Sequence, residues 1–117
     1  MMRVLVVGAG RVGARVLKQL RKNPDLTVVT VDPREKPFAV AEGVIPFVDY
    51  DAELTPMELE PVIEAVKPDL VLVTTSGEDI GRSGIPGLEV LVEALWGELE
   101  STAKVPVIAV DRSSITG

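Results

Sequence analysis

Apolar positions in this chain fall into two alternating patterns, short aliphatic runs and stretches with helical spacing. The aliphatic runs are rich in Val, Leu and Ile, which is typical of strands buried on both faces of a sheet. Between the first two runs, apolar residues recur every three or four positions, which predicts a helix. Such alternation predicts parallel strands joined by right-handed crossovers. The runs span residues 4–7, 26–31, 70–73 and 105–110, and the first helical stretch spans residues 11–22.

Residues 44–48 predict a further strand, the third in chain order. Pro46 lies inside it and has no amide hydrogen, so this strand belongs at an edge of the sheet. In a parallel sheet of order 3-2-1-4-5 the third strand is an edge strand. We therefore predict an α/β, three-layer Rossmann-like fold, with a parallel five-stranded sheet and helices on both faces. The length of 117 residues predicts one domain over the whole chain.

The segment before the fourth strand predicts a helix with an ambiguous start. Thr55 and Glu58 have the spacing of a capping box, with Pro56 at the first helical position. Pro61 follows too soon for a regular helix, so a start near residues 60–61 is the alternative. A short helix within residues 34–42 is a further expectation, although Pro37 interrupts it.

Composition excludes several classes of function. The net charge of −6 and the pI of about 4.6 disfavour binding to nucleic acid or to anionic lipid. The chain has no Cys and no His, which removes thiolate chemistry and the commonest general base and metal ligand. No apolar run is long enough to cross a membrane, and the start shows no signal peptide, so we expect a cytoplasmic protein. The chain has one Asn, one Gln and nine Pro. A low content of side-chain amides with many prolines is a tendency of proteins from thermophiles.

The main chemical signal is a glycine-rich turn between the first strand and the first helix. Residues 8–13 read Gly-Ala-Gly-Arg-Val-Gly. Gly8 allows the tight turn, Gly10 lets a pyrophosphate approach the backbone, and Gly13 lets the helix pack closely on the sheet. Free amides at the helix start, near Arg11 and Val12, attract phosphate. We predict a dinucleotide site here; a turn that only packs strand on helix is the alternative.

An acidic residue at the end of the second strand completes the fingerprint. Asp32 lies 19 residues after Gly13, close to the ~20 of known dinucleotide sites. Its carboxylate is expected to accept hydrogen bonds from the adenosine ribose and to repel the extra phosphate of NADP, which favours NAD. Arg34, two residues later, could pair with that phosphate, so NADP stays open. Asp32 as a simple turn residue before Pro33 is the other interpretation.

The end of the fourth strand supplies further candidate contacts. Thr74, Thr75 and Ser76 lie where such folds place groups beside the cofactor. Loop polarity alone explains them equally well. A glycine-rich loop follows over residues 76–87, and Arg82 within it could meet an anion, although an exposed loop is the simpler interpretation.

One acidic and one basic cluster of residues resemble binding sites, but a simpler explanation is preferred for each. Asp49, Asp51 and Glu53 alternate along an extended segment, but three carboxylates alone are an unspecific metal signal, so no metal site is expected. Five basic residues on the first helix indicate a solvated face. They are Arg11, Arg15, Lys18, Arg21 and Lys22.

The last helix carries more apolar residues than one core requires. Residues 88–100 form an apolar stripe that Val90, Ala94 and Trp96 widen. A homodimer interface is one explanation, a partner domain is another, and deeper burial in the fold is a third.

The chain resembles the NAD-binding domains of the TrkA-N type, also called RCK domains. The resemblance covers about the first 75 residues, and the turn at residues 8–13 is its specific part. Residues 42–49 resemble the family's third strand, with Val48 where the family has glycine, and residues 68–75 resemble its fourth. The resemblance implies a dimeric module that senses NAD or NADH. The residues that it implies around the nucleotide are Gly8, Gly10, Arg11, Gly13, Asp32 and Asp49.

These observations predict an NAD-binding regulatory or sensor module without its own catalytic residues. The alternative is a cofactor-binding subunit or domain of an NAD(P)-dependent oxidoreductase, whose partner supplies the acid or base. Tyr50 is the one tyrosine, and it lies in the acidic segment. A methyltransferase using S-adenosylmethionine is a third possibility, although Val6 and Val7 stand where those enzymes usually carry an acid.

Overall fold

The described part of the chain forms a parallel sheet of four strands. The computed structural model describes residues 2–53, 55–74 and 105–110. The strand order is β2-β1-β3-β4, and every pair is parallel. The α/β class and the parallel sheet are therefore confirmed, and they are consistent with a Rossmann-like fold. The strands are β1 (Met2–Val7), β2 (Leu26–Val31), β3 (Leu70–Val73) and β4 (Val107–Ala109).

The prediction of five strands is wrong for the described residues, because residues 44–48 bend instead of forming a strand. The chain meets β2 at a single parallel bridge between Tyr50 and Val31. The Tyr50 amide donates to the Thr30 carbonyl at 3.0 Å, and the Asp49 carboxylate accepts the Thr30 amide at 2.9 Å. At this edge of the sheet, the Asp49 carboxylate thus accepts the hydrogen bond that the carbonyl of a neighbouring strand would otherwise accept. Pro46, which has no amide hydrogen, cannot extend the ladder.

Helix α1 and the short helix α2 cover one face of the sheet. Helix α1 (Arg11–Leu20) buries Val16 and Leu17 against Val4 and Val6, while its basic residues are exposed as predicted. Its regular part ends two residues before the predicted end, in a turn. Helix α2 (Phe38–Ala41) begins after Pro37, within the segment where a short helix is expected. Proline is well tolerated at a helix start, because the amide hydrogen that it lacks has no intrahelical partner there.

Helix α3 (Pro56–Val66) covers the opposite face, where Leu59 and Ile63 pack on Leu5 and Val7. Helices therefore lie on both faces of the sheet. Within the described ranges no helix has the length and hydropathy needed to cross a membrane.

The late helix start near residues 60–61 is wrong, since α3 begins at Pro56 and continues through Pro61. The Thr55 side chain accepts the Glu58 amide at 3.4 Å, as a capping residue does. Pro61 removes the hydrogen bond to the carbonyl of residue 57. Both Pro61 and Met57 are exposed, Met57 by 80%. Water can therefore hydrate that carbonyl, which is why the proline is tolerated.

The end of α3 offers a test of backbone strain. Lys67 ends the helix with a φ of 52°, in the left-handed region that costs a residue with a β-carbon about 1 kcal/mol. Replacement Lys67→Gly is expected to raise the free energy of unfolding by about 0.5 kcal/mol after the extra entropy of glycine is counted. Urea denaturation measures the change. Lys67→Ala keeps the β-carbon and is the control, and an equal gain in both variants contradicts the explanation.

Several predictions fall outside the described residues. They concern Thr75, Ser76, the loop over residues 76–87 with Arg82, and the helix over residues 88–100 with Trp96. The predicted contacts of this helix, including a dimer interface, stay predictions.

Candidate functional site

The glycine turn joins β1 to α1 at the carboxyl edge of the sheet, where sequence analysis places it. Gly8 has a φ of +100°, a conformation that only glycine adopts easily. Its amide donates to the Val31 carbonyl at 2.8 Å, which fixes the turn beside the end of β2. Gly10 is the residue before the first helical position and has extended backbone angles, φ −77° and ψ −154°.

Gly13 allows the first turn of α1 to lie against the glycine turn and the end of β3. A β-carbon built at Gly13 would overlap the Gly8 carbonyl oxygen and would lie 2.9 Å from Oγ1 of Thr74. Backbone cannot yield to such an overlap without a shift of the helix. The close packing that the sequence predicts for this glycine is therefore present.

The amides at the start of α1 lack acceptors within the described part of the chain. The amides of residues 10–13 donate to no residue that the structure describes, no side chain caps the helix, and its first turn contains no acidic residue. The first amides of a helix carry a partial positive charge and need acceptors from outside the helix. A phosphate group is an acceptor of the right charge.

Asp32 is fully buried at the end of β2 and ties the glycine turn to that strand. Its Oδ2 accepts the Ala9 amide at 2.8 Å and Nη2 of Arg34 at 2.8 Å. Its Oδ1 accepts the Arg34 amide and Arg34 Nε, both at 2.9 Å. An ionised carboxylate has about four acceptor positions. The protein itself therefore fills the acceptor capacity that the predicted ribose contact requires.

The pKa of Asp32 is lowered from its ordinary value. Burial is the largest single influence and acts to raise it. The hydrogen bonds from the Arg34 side chain, the Ala9 amide and the Arg34 amide, with the positive charge of Arg34, together outweigh burial. The carboxylate is thus held ionised by its donors.

This lowered pKa predicts a pH dependence of stability. A carboxylate whose pKa is lower in the folded state stabilises the fold above its unfolded pKa of about 3.9, and this contribution is lost as the pH falls through the folded value. The stability of the wild type relative to Asp32→Asn should therefore be constant above about pH 5 and shrink under more acidic conditions. Urea denaturation of both proteins between pH 2.5 and 7 measures the difference, in which the titration of the other carboxylates cancels. A difference that stays constant across this range contradicts the assignment.

Thr74 ties the end of β3 to the same turn. Its amide donates to the Val7 carbonyl at 2.9 Å, and its buried hydroxyl lies 3.0 Å from that carbonyl and 2.8 Å from the Gly8 carbonyl. The single hydroxyl proton is thus directed at protein backbone. The cofactor contact expected of Thr74 stays a prediction, and in the structure its hydroxyl holds the glycine turn in place.

Asp49 has a structural contact with β2. Its carboxylate accepts the Thr30 amide, and it lines a small groove with Leu17 and Arg21. The predicted nucleotide contact of Asp49 has no support from this position. Among the described residues, no three acidic side chains lie close enough to hold a metal ion.

Phe38 is a neighbour of the site that the sequence analysis missed. The guanidinium carbon of Arg11 lies 4.9 Å from the centre of the Phe38 ring, a cation–π contact. The Ala39 amide donates to the Ala9 carbonyl at 2.9 Å, so α2 is tied to the glycine turn. A cleft of about 570 Å³ separates the two helices, with Arg15, Lys18 and Glu42 also on its walls. The sequence offered one indication of this contact, an aromatic residue directly after Pro37 in the segment where a short helix is expected.

No family model matches this chain, and no curated protein matches it. A solved structure, that of glycinamide-RNase-transformylase T from Mycobacterium tuberculosis, is similar with a TM-score of 0.47 and 18% sequence identity. The match covers 80% of this chain and 24% of that protein. A likeness of this size supports no inference about ligand or activity.

The described residues at the turn can bind an anion more readily than they can move a proton. They offer amides without an acceptor among the described residues, the guanidinium group of Arg11, and the ion pair between Arg34 and the Asp32 carboxylate. Tyr50 packs beside the core at the edge of β2. General acid–base catalysis needs a group within hydrogen-bond reach of the substrate with a pKa near the working pH. Asp32, buried, fully bonded and with a lowered pKa, does not have these properties.

Proposed function

We propose that this chain binds a nicotinamide dinucleotide at the glycine turn and works as a regulatory or sensor module without catalytic residues of its own. The observation that carries the proposal is the set of amides at residues 10–13, which meet no acceptor among the described residues. They lie at the carboxyl edge of a parallel sheet, the edge at which α/β proteins bind their ligands.

A diphosphate matches the chemistry of this place. Two negative phosphates would accept the helix amides and lie near the guanidinium group of Arg11. Gly10 carries no side chain to block the approach. The resemblance of residues 8–13 to TrkA-N domains favours the same ligand. Asp32 argues for the adenosine end of the nucleotide at β2, although its carboxylate is already bonded by Arg34.

The second candidate is the cofactor-binding part of an NAD(P)-dependent oxidoreductase. Such an enzyme requires an acid or base near the nicotinamide ring, which a partner would provide. Hydride transfer in the presence of a partner protein would favour it. Nucleotide binding without turnover favours the sensor.

Calorimetry and thermal shift provide the test. The panel contains NAD, NADH, NADP, NADPH and S-adenosylmethionine, and we expect at least one nicotinamide nucleotide to bind. A ligand present at 100 times its Kd stabilises the fold by about 2.7 kcal/mol, a clear rise in the thermal midpoint. No response to any nicotinamide nucleotide, or a response to S-adenosylmethionine alone, overturns the proposal.

Two variants locate the binding. Gly10→Ala places a methyl group where the diphosphate approaches, and the φ of −77° suits any residue. We expect this variant to keep its fold by circular dichroism and to lose binding at least about tenfold. Lys22→Ala, in the turn that follows α1, should bind as the wild type does. Equal binding in all three proteins places the ligand elsewhere.

A further inference from the structure

Arg34 occupies the face of Asp32 that a ribose would need. Its Nε and Nη2 bond the two carboxylate oxygens at 2.9 and 2.8 Å, a bidentate pair, while its backbone amide bonds Oδ1. With the Ala9 amide these make four hydrogen bonds to one carboxylate. Asp32 itself is 0% exposed, whereas 42% of the Arg34 side chain is exposed. A ligand arriving at the end of β2 from solvent therefore meets the guanidinium group first.

This arrangement works against NAD. The free 2′- and 3′-hydroxyls of the NAD ribose are recognised by an acidic residue at the end of β2 because they donate to it. Here they can donate to Asp32 only after two charge-assisted hydrogen bonds from Arg34 break. Bidentate bonds between arginine and carboxylate are among the strongest in proteins. NAD binding therefore carries a cost at this site that a free aspartate would not impose.

The same arrangement suits a 2′-phosphate. A guanidinium group presents five N–H donors, and its planar shape matches phosphate. The bond to Asp32 restricts the rotamers of Arg34 before any ligand arrives, so less entropy is lost on binding. The positive charge of Arg34 also offsets the repulsion between a phosphate and the Asp32 carboxylate, which is the reason that an unpaired acid excludes NADP.

We propose that Asp32 acts as a positioning residue for Arg34, that Arg34 binds the 2′-phosphate of the nucleotide, and that the site prefers NADP(H) to NAD(H). This rests on the proposed function, since a dinucleotide must bind at the glycine turn. It reverses the preference for NAD that Asp32 alone predicts from the sequence. The reason is the contact between Asp32 and Arg34.

Calorimetry with matched pairs of ligands tests the preference. NADP is compared with NAD, and adenosine 2′,5′-bisphosphate is compared with 5′-AMP, so that each pair differs only in the 2′-phosphate. We expect the wild type to bind the phosphorylated member at least about tenfold more tightly. Raising the salt concentration should reduce that ratio, because the contact is between exposed charges.

Variants at Arg34 identify the residue responsible. In Arg34→Ala the ratio of the two affinities should fall to about one or below, with NAD binding gaining because Asp32 is uncovered. Arg34→Lys keeps the charge without the planar group and should retain part of the preference. Lys22→Ala removes a remote positive charge and should leave the ratio unchanged. Because each ratio is measured within one protein, a moderate loss of stability does not affect the comparison.

The outcomes separate this inference from the proposed function. If NAD binds as tightly as NADP or more tightly in the wild type, Arg34 merely covers Asp32, and the inference is overturned while the proposed function stands. An unchanged preference for NADP in Arg34→Ala overturns the role of Arg34. If none of the four ligands binds, the proposed function fails and the inference fails with it.

Discussion

Gly13→Ala is expected to lower the free energy of unfolding by about 3 kcal/mol or more, at the upper end of the range for overpacked sites. The new methyl group would overlap the Gly8 carbonyl and press on Oγ1 of Thr74 at 2.9 Å. Neither atom belongs to a flexible chain end, since Gly8 bonds the end of β2 and Thr74 bonds the turn. The helix must move away from the sheet. At an unobstructed position inside a helix, replacing Gly by Ala raises the free energy of unfolding by about 1 kcal/mol. A decrease at Gly13 would therefore indicate a steric overlap.

Gly43→Ala is the matched control for this prediction. Nothing lies within 4 Å of a β-carbon at Gly43, and its φ is +75°. The change there costs only the backbone strain, about 1 kcal/mol. Urea denaturation of both variants measures the difference. A loss for Gly13→Ala no larger than that for Gly43→Ala would falsify the packing role, and nucleotide binding by Gly13→Ala should then be normal.

Asp32→Ala is the second change with a large expected effect, a loss of about 2–4 kcal/mol. The buried Ala9 amide loses its acceptor, and a buried amide without a partner costs about 1–3 kcal/mol. Part of the remainder comes from the cavity left by the carboxylate. The share from the ion pair with Arg34 is small, because 42% of the Arg34 side chain is exposed to solvent, where ion pairs contribute little.

Hydrogen exchange gives this second prediction a local measurement. Exchange at the Ala9 amide should accelerate in Asp32→Ala by more than the loss of global stability explains. Arg34→Ala retains the bond between Asp32 and the Ala9 amide, so it should lose about 1 kcal/mol and keep Ala9 protected. If the two variants lose equal stability, or if Ala9 is equally protected in both, Asp32 does not hold the turn.

The two changes act on one small assembly. Gly13 lets α1 approach the sheet, Thr74 joins the turn to β3, and Asp32 joins it to β2. The residues that the sequence analysis proposed as ligand contacts thus also hold the turn together. Variants made to test the proposed nucleotide binding must therefore be checked for folding, which is the reason that Gly10→Ala and Arg34→Lys are the more informative probes.

The sequence by itself determined the local parts of this protein. The first strand, the glycine turn and α1 follow from an aliphatic run, from glycines at residues 8 and 13, and from apolar residues at helical spacing. Thr55 and Pro56 mark the start of α3 because caps act within one turn of helix. In each case the energy that fixes the structure comes from neighbours in sequence or from a simple division between buried and exposed faces.

Only the tertiary structure decided the remainder, because the partners there are distant in sequence. The edge of β2 is bonded by the Asp49 side chain and by Tyr50 in place of a strand. Pro61 is tolerated because its side of α3 faces solvent. The Asp32 carboxylate accepts hydrogen bonds from the Ala9 amide, 23 residues away in sequence, and from the Arg34 side chain. A pattern of residue types reveals which groups can bond, whereas the choice among competing partners depends on where the fold brings them.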